Sequence, residues 1–479
     1  MTFVQPEFVG LFLGVWLVYW RLGRVAQNVL LVLAGLVFYG WVHPWFLIPL
    51  VVSSAVDFFA GLGMEAWPER RRALLGVSLA ANLGMLGWFK YAGWFVENVD
   101  AALRGIGLGG VGTLSVMIPV GISFYTFQTL SYTLDVYRGK LPARRSPLDF
   151  FVFVSFFPQL VAGPIERATH LLPQVERQRE FTWADQRDGL SLALWGAFKK
   201  MAIADNLAPW VDRVHAHPDP SFGMIWSAGL AFSVQLLCDF SGYTDIARGT
   251  GRMLGFSLSE NFRWPYLATT PMQAWSRFHM TLTSWLTDYV YYPLAQARWV
   301  RWLKLPGTTV GGAGHVARVT LLTFLVSGLW HGASWGFVLW GLFLGSLQIV
   351  YVAAQRRIPR RVRDDARWVV FTVPLMFAFQ LVAQLLFRTP TLGQIVHHLT
   401  RAPWDQTPAQ GVVAAGTVGV TILFATPLWL AMAYERWVMP RLVGRPWYPV
   451  VQGLGWGTWI SAIAWMSRPT ANDFIYFQF

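Results

Sequence analysis

The sequence predicts an all-α protein that crosses a membrane many times, and three observations support this prediction. Charged residues make up 13% of the 479 positions, whereas soluble proteins typically carry about 25%. The mean hydropathy is +0.41, and the apolar residues are gathered into runs long enough to cross about 30 Å of hydrocarbon. The chain also contains 27 Trp and 35 Phe, and aromatic side chains of this kind favour the membrane interface.

The apolar runs predict the elements in order along the chain. Ten of them are predicted membrane spans: 7–20, 26–42, 45–63, 73–92, 113–134, 188–208, 222–240, 369–387, 411–433 and 447–466. Two further runs, 316–332 and 335–353, are predicted to form a hairpin. Segments near 148–163 and 270–294 are apolar but interrupted by proline or charge, so we expect re-entrant or interfacial helices there.

Clusters of basic residues orient these spans, because positive charges are retained on the cytoplasmic side. The clusters that predict cytoplasmic loops are Arg21 and Arg24; Arg70, Arg71 and Arg72; Arg138, Lys140, Arg144 and Arg145; Arg356, Arg357, Arg360, Arg361, Arg363 and Arg367; and Arg436, Arg441 and Arg445. With these loops inside, we expect the N-terminus, the loop at 389–410 and the C-terminal tail at 468–479 to be extracytoplasmic. We expect residues 1–479 to form a single membrane-embedded domain, with its core at 113–355.

Charge and composition exclude several classes of protein. A net charge of +13 would favour nucleic-acid binding in a soluble protein. Here the basic residues lie in short clusters between apolar runs, so no nucleic-acid partner is predicted. Cys238 is the single cysteine, which excludes an internal disulfide and a cysteine-based metal site. The nine histidines lack the spacing of a metal-binding motif, and no metal site is predicted.

Two carboxylates lie at the end of a long apolar run, where ionisable residues suggest function by default. Asp239 and Asp245 are six positions apart, so they do not share a helical face and are not expected to form an acid–base pair. Arg248 is expected to pair with Asp245. We favour a cavity-wall role for this region over direct catalysis. The dipeptide Lys199-Lys200 lies within a predicted span and is expected to reach a membrane surface.

His279 lies in an aromatic-rich, amphipathic segment at 275–289. Regular helical spacing would place His279, Thr283 and Leu286 on one face. This pattern is compatible with a catalytic histidine, and also with an ordinary histidine at the membrane interface.

His331 lies within the predicted hairpin, between Gly328 and Gly332, which allow a ligand or another backbone to approach closely. Imidazole has an unperturbed pKa of about 6.5, so its neutral form accepts a proton from a hydroxyl at physiological pH. Attack of a hydroxyl on a thioester requires such a base. The pattern alone is equally compatible with a hydrogen-bonded core histidine.

An ordered set of motifs resembles the membrane-bound O-acyltransferase family, in the bacterial branch with the alginate O-acetylases. The motifs extend over most of the chain, and their order makes the resemblance specific. They are Ile118–Gln128, Phe156–Ile165, Asp239–Tyr243, Glu260–Phe262, Arg277–His279, Asp288–Tyr289, Gly328–Ala333 and Phe474–Phe479.

The resemblance implies a ring of about 10–12 transmembrane helices, with re-entrant helices, around a central tunnel. His331 matches the essential histidine of the family and His279 the second histidine. The implied tunnel or cavity lining is Trp330, Asp239, Tyr243 and Asp288. The usual branch pattern before the second histidine is more basic and ends in Trp-His. Here Phe278 precedes His279, which weakens the case for Phe278 as a tunnel aromatic.

The implied reaction transfers an acetyl group from a cytoplasmic thioester, acetyl-CoA or another acyl thioester, to an extracytoplasmic polysaccharide of the alginate type. No bound cofactor is expected. The implied partners are membrane lipids, an extracytoplasmic acyltransferase and a polysaccharide biosynthesis complex. The tail resembles an acyl relay in which the hydroxyl of Tyr476 carries the acyl group, with a hydrophobic anchor as the alternative.

Other functions and acceptors stay open at this point. Peptidoglycan, cellulose and teichoic acid are alternative acceptors. A transporter or flippase, or a scaffold of an export complex, is an alternative class of protein.

Overall fold

The computed structural model describes residues 1–161, 163–303, 312–355, 357–358, 366–468 and 474–475, which form helices and their connections. The α-helices up to the predicted hairpin are α1 (Pro6–Tyr19), α2 (Arg24–Gly40), α3 (Leu47–Ala66), α4 (Arg71–Leu86), α5 (Ala92–Gly105), α6 (Ile122–Tyr137), α7 (Pro147–Ser155), α8 (Ala168–Glu176), α9 (Trp183–Ala197), α10 (Asp205–His215), α11 (Phe222–Met253), α12 (Pro271–Arg277), α13 (Met280–Leu286), α14 (Tyr292–Gln296) and α15 (Arg298–Trp302). The later ones are α16 (Gly312–His331), α17 (Trp335–Gln355), α18 (Val369–Arg388), α19 (Leu392–Thr400), α20 (Pro408–Ala433), α21 (Met439–Leu442) and α22 (Tyr448–Met466). Short 3-10 or π-helical turns connect or extend several of them: Pro44–Phe46, Pro68–Arg70, Gly87–Tyr91, Phe198–Ala204, Pro265–Leu267, Thr287–Tyr291, Ala366–Trp368 and Tyr434–Val438.

Seven helical stretches within the described residues are long and apolar enough to cross a membrane. They are Pro44–Ala66, Pro68–Gly105, Phe222–Met253, Gly312–His331, Trp335–Gln355, Val369–Arg388 and Pro408–Leu442. The two N-terminal helices, Pro6–Tyr19 and Arg24–Gly40, are apolar but shorter. The prediction of an all-α, multi-pass membrane protein is confirmed.

The predicted span at 113–134 is wrong in its first part, because helix α6 begins only at Ile122. Pro119 disfavours helical geometry at the residue before it. Gly121 has a φ of 76° in the left-handed region, which suits glycine. A Cβ atom on Gly121 would lie 3.1 Å from the carbonyl oxygen of Leu160, so the small residue also permits a close backbone contact.

Helix α11 is longer than the predicted span at 222–240 and continues to Met253. Asp239 and Asp245 therefore lie inside a helix instead of at its end. Helix α9 packs so closely on α11 that a Cβ atom added to Gly249 would lie 2.4 Å from the carbonyl oxygen of Gly189. Small residues allow this kind of contact between membrane helices.

Lys199 and Lys200 are buried between these helices, so the expectation that they reach a membrane surface is wrong. Their exposed fractions are 5% and 1%. Lys199 Nζ lies 2.6 Å from an Asp245 oxygen, and Lys200 Nζ lies 2.7 Å from an Asp239 oxygen. Burying a charge is tolerated when it is paired, and the adjacent lysines each meet a carboxylate of α11. The predicted pair between Arg248 and Asp245 is confirmed at 3.2 Å.

Helices α16 and α17 form the predicted hairpin. Their backbones touch at two glycines: a Cβ atom would lie 2.2 Å from the Phe337 oxygen if added to Gly328, and 2.3 Å from the Phe324 oxygen if added to Gly341. No side chain fits at either distance. The hairpin therefore depends on glycine at both positions.

The segment between α11 and α14 folds back on itself through an antiparallel bridge between Phe262 and Phe278. His279 follows this bridge with a φ of 49° and precedes the helix Met280–Leu286. The expectation that His279 shares a helical face with Thr283 and Leu286 is therefore wrong. A left-handed residue interrupts the regular helical spacing on which that expectation depends.

We expect Gly328→Ala to lower the melting temperature of the purified protein, because its Cβ atom would collide with the Phe337 carbonyl. Overpacking of this kind typically costs about 1–3 kcal/mol. Gly419→Ala is the matched control, since nothing lies within 4 Å of a Cβ atom there. That helical substitution should raise stability or leave it unchanged. Thermal unfolding in detergent measures both, and equal melting temperatures would contradict the hairpin contact.

Candidate active site

His331 is the last residue of α16 and lies in an aromatic environment. Its exposed fraction is 5%. The ring centroid of His331 is 4.9 Å from that of Trp340 and 5.2 Å from that of Phe387. The ring centroid of Trp330 lies 5.0 Å from that of His331. Such surroundings exclude bulk water from the imidazole and leave its nitrogens for interactions inside the protein.

Two residues from the turn Gly87–Tyr91 hold the end of α16. The Tyr91 hydroxyl donates to the Leu329 carbonyl oxygen at 2.6 Å. The Lys90 ammonium donates to the carbonyl oxygens of Trp330 and, at 3.0 Å, His331. The last carbonyls of a helix have no partner within the helix, and a cation there also complements the helix dipole. Lys90 and Tyr91 therefore position the backbone that carries His331.

His279 is held by Asn261. The Nδ1 atom of His279 lies 3.2 Å from Asn261 Oδ1, which also accepts from the backbone N–H of Thr281 at 3.1 Å. Because a backbone N–H can only donate, the Asn261 atom at this point is the oxygen, and His279 Nδ1 carries the proton. In a neutral imidazole, the hydrogen bond at one nitrogen sets the character of the other. Nε2 of His279 is then the acceptor nitrogen.

His279 and His331 line the same buried cavity. Its volume is about 60 Å³, so it accommodates only a small group. Trp330 contacts both histidines, since its ring centroid lies 5.5 Å from that of His279. The remaining wall is mostly apolar and aromatic, with polar side chains at Thr283, Gln348, Gln380 and Gln384. The cavity therefore combines two imidazoles with a largely apolar wall.

Asp239 belongs to a separate buried charge cluster. Lys200 Nζ lies 2.7 Å from Asp239 Oδ1 and 2.8 Å from Asp205 Oδ1. The other Asp239 oxygen accepts from the backbone N–H of Ile475 at 2.7 Å. Asp239 therefore connects the centre of α11 to the C-terminal tail, which fits a structural role.

The tail segment Phe474–Ile475 is buried close to the histidines. The ring of Phe474 lies 4.4 Å from that of Tyr243 and 5.5 Å from that of Phe240. Phe240 in turn packs edge-on against His279 at 4.6 Å. One aromatic ring thus separates Phe474 from His279. Tyr476, the predicted acyl relay, lies outside the described residues.

The four residues predicted as tunnel or cavity lining occupy different positions. Trp330 packs against both histidines, and Asp239 and Tyr243 lie at the tail contact. Asp288 pairs with Arg167 at 3.0 Å, and 44% of its side chain is exposed. In the part of the chain that the structure describes, none of the four is in the wall of the cavity that contains the histidines.

The structure adds functional candidates that the sequence patterns did not single out: Lys90, Tyr91, Asn261 and Gln384. Lys90 gave a usable signal, because an ionisable residue within an apolar run suggests function. Asn261 lies in the motif Glu260–Phe262, but the motif alone implies no role for it. The sequence pattern around Gln384 suits a glutamine that faces lipid as well as one that lines a cavity.

The fold and the two histidines agree with the comparison to protein families. The model of the membrane-bound O-acyltransferase family matches residues 138–389, a region that contains both histidines and the hairpin. The chain belongs to the membrane-bound O-acyltransferase family. It is therefore an O-acyltransferase, and this membership favours an enzyme over a transporter or a scaffold.

Several individual proteins are similar over most of their length. The probable alginate O-acetylase AlgI of Azotobacter vinelandii is 36% identical over 82% of this chain and 76% of the relative. The protein of the same name from Pseudomonas aeruginosa is 35% identical, over 82% and 73%. The peptidoglycan O-acetyltransferase of Helicobacter pylori is 33% identical, over 82% and 78%.

We expect Lys90→Met to lower the rate of acyl transfer about tenfold, because the last carbonyls of α16 lose a charged donor and His331 loses its fixed position. Hydrogen bonds to charged groups typically contribute about 1.5–3 kcal/mol. Turnover of purified enzyme, with membrane yield measured in parallel, provides the test. Lys140→Met, at an exposed lysine, is the control. Unchanged turnover in Lys90→Met would contradict the positioning role.

Proposed function

We propose that this enzyme transfers an acetyl group from a cytoplasmic thioester to a hydroxyl of an extracytoplasmic polysaccharide. Its site is the bacterial inner membrane, with both termini on the extracytoplasmic side. The observation that supports this most directly is the pair of histidines in one buried cavity of an O-acyltransferase. The acetyl group and the polymer are favoured by the names of the similar proteins.

In this reaction His331 acts as general base. Its neutral imidazole accepts the proton of the acceptor hydroxyl while the oxygen attacks the thioester carbonyl. A carbon–oxygen bond forms, the carbon–sulfur bond breaks, and the proton passes to the departing thiolate. A positioned base of this kind typically contributes about 10²–10⁴-fold to the rate. His279, fixed by Asn261, orients the donor carbonyl or the acceptor hydroxyl.

An alginate-type exopolysaccharide is the acceptor that the similar proteins favour. The peptidoglycan O-acetyltransferase of Helicobacter pylori covers the same share of the chain at 33% identity, so peptidoglycan is the second candidate. Assay of purified alginate and peptidoglycan fragments as acceptors, with the partner acyltransferase present, distinguishes the two.

The C-terminal tail is proposed to accept the acetyl group first, on the hydroxyl of Tyr476. The position of Phe474, one aromatic ring from His279, supports this proposal, because Tyr476 follows two residues later. The acetyl ester would then pass to an extracytoplasmic acyltransferase within a polysaccharide biosynthesis complex. A tail that carries acetyl groups needs a partner that accepts them, and the extracytoplasmic acyltransferase would fill this role.

We expect His331→Ala to lower acetyl transfer by about 10²–10⁴-fold with normal membrane yield, because the variant lacks the base. The assay follows radiolabelled acetyl groups from acetyl-CoA into acid-precipitable polymer. His397→Ala removes a half-exposed histidine that pairs with Asp219 and should keep wild-type transfer. Retained transfer in His331→Ala would refute the assignment.

Tyr476→Phe separates the relay from a hydrophobic anchor, because it removes only the hydroxyl. The relay predicts loss of acetyl transfer to the polymer while the variant still reaches the membrane. Mass spectrometry of the wild-type tail should also detect a gain of one acetyl group on Tyr476. An anchor predicts wild-type transfer and an unmodified tail.

A further inference from the structure

A second cavity lies at the C-terminal end of α11 and shares no described residue with the wall of the histidine cavity. Its volume is about 390 Å³, and sites for small molecules typically measure about 300–1,000 Å³. In the described part of the chain, its wall contains three arginines and one carboxylate: Arg177, Arg248, Arg252 and Asp185. The cavity is therefore large enough for a ligand and has a cationic wall.

Ion pairs with neighbouring carboxylates fix two of these arginines. Arg252 lies 3.0 Å from an oxygen of Asp185 and 2.9 Å from one of Asp188, which both belong to α9. Arg248 lies 3.2 Å from an oxygen of Asp245 on its own helix, α11. Both guanidinium groups are thus held at the wall before any ligand arrives.

The positive charge around this cavity is not fully compensated. Arg177 is exposed and has no ion pair within the described residues. The Nε atom of Arg248 is buried and has no hydrogen-bond partner there. The cations of the wall and of its ion pairs exceed the carboxylates by two, because Arg177, Arg187, Lys199, Arg248 and Arg252 face Asp185, Asp188 and Asp245. An unpaired cation and an unused donor at one cavity favour an anion, and the guanidinium group suits phosphate.

Aromatic side chains place this cavity at the level of the lipid headgroups. Trp183 begins α9 with 78% of its surface exposed, and tryptophan favours the membrane interface. Phe181 packs on both Trp183 and Trp16, with ring centroids 5.0 Å and 6.5 Å apart. Gln186 accepts from Trp16 Nε1 at 2.8 Å and donates to the Met253 carbonyl oxygen at 3.1 Å. Because Met253 follows Arg252, the aromatic cluster lies beside the cavity.

The cavity opens on the side of the membrane that the basic clusters predict to be cytoplasmic. Glu176, the last residue of α8, pairs at 2.7 Å with Arg144, a member of one of those clusters. Arg177 directly follows Glu176 and therefore lies at the same end of the molecule. Anionic phospholipids give the cytoplasmic leaflet a negative surface, which attracts basic residues.

We propose that this cavity binds a phosphate group, carried by an anionic phospholipid of the cytoplasmic leaflet. Arg177 and the Nε atom of Arg248 would bind the phosphate oxygens. Leu192 lines the cavity, and Leu190 of the same helix is 38% exposed, so apolar surface is present for the acyl chains. A soluble phosphate ester carries the same anion but makes no use of this apolar surface. The bound lipid would join α8, α9 and α11 at one end of the molecule.

The test compares two lipids that differ only in headgroup charge. Full-length protein in a neutral detergent is titrated with phosphatidylglycerol and with phosphatidylcholine of the same acyl chains. Native mass spectrometry measures the affinity for each lipid. The variants are Arg177→Gln and Arg248→Lys, and the latter keeps a charge beside Asp245 but lacks the Nε donor. The matched control is Arg72→Gln, at an exposed arginine outside the cavity.

Wild-type protein should bind phosphatidylglycerol more tightly than phosphatidylcholine. Arg177→Gln should lower the affinity for phosphatidylglycerol about fivefold, the loss expected for one arginine near an anionic headgroup, and keep that for phosphatidylcholine. Arg248→Lys should lower it by a smaller factor, because lysine lacks the planar guanidinium. Arg72→Gln should match wild type. Without lipid, Arg177→Gln should melt at the wild-type temperature, since its side chain is exposed and has no ion pair.

Equal affinity for phosphatidylglycerol in Arg177→Gln and Arg72→Gln would overturn the inference, as would a wild-type protein that does not distinguish the two lipids. The source of the phosphate is tested with inorganic phosphate, against sodium chloride of the same ionic strength. If inorganic phosphate raises the melting temperature of wild type but not of Arg177→Gln, and phosphatidylglycerol raises neither, the lipid is rejected in favour of a soluble phosphate compound.

Discussion

Lys90 and Tyr91, which belong to another helical segment, hold the C-terminal end of helix α16 by hydrogen bonds to its last carbonyl groups. The candidate active site depends on these hydrogen bonds. A helix that ends inside a protein leaves carbonyl groups without partners. Here a hydroxyl and an ammonium satisfy three consecutive carbonyls, the last of which is that of His331. The imidazole therefore projects from a fixed backbone into the cavity. The glycine contacts of the hairpin fix the same helix against α17, so the backbone that carries the imidazole has a defined position.

Buried charges give the centre of the molecule a second set of fixed contacts. Lys199 and Lys200 pair with Asp245 and Asp239 of α11, and Asp239 also receives the backbone N–H of Ile475. Such ions are costly to bury, and breaking one pair leaves the other charge uncompensated. The cluster therefore holds α11 and the C-terminal tail in a single arrangement. This arrangement also brings the tail within one aromatic ring of His279.

The sequence predicted what depends on local pattern and missed what depends on distant contacts. The hairpin and most spans follow from the length of apolar runs, and His331 and His279 were found through ordered motifs. The left-handed backbone at His279 was missed, because helical spacing assumes a regular helix. The contact of Lys90 with α16 joins residues about 240 positions apart, and the pairing of Lys200 depends on how α9, α10 and α11 pack. No periodicity within one segment contains that information.

A structure of the enzyme with a non-hydrolysable thioether analogue of acetyl-CoA tests the central claim most directly. Cryo-electron microscopy in nanodiscs would locate the analogue. The account predicts that its acetyl-like end lies between His279 and His331. An analogue bound elsewhere, with the cavity between the histidines closed and empty, would contradict the account.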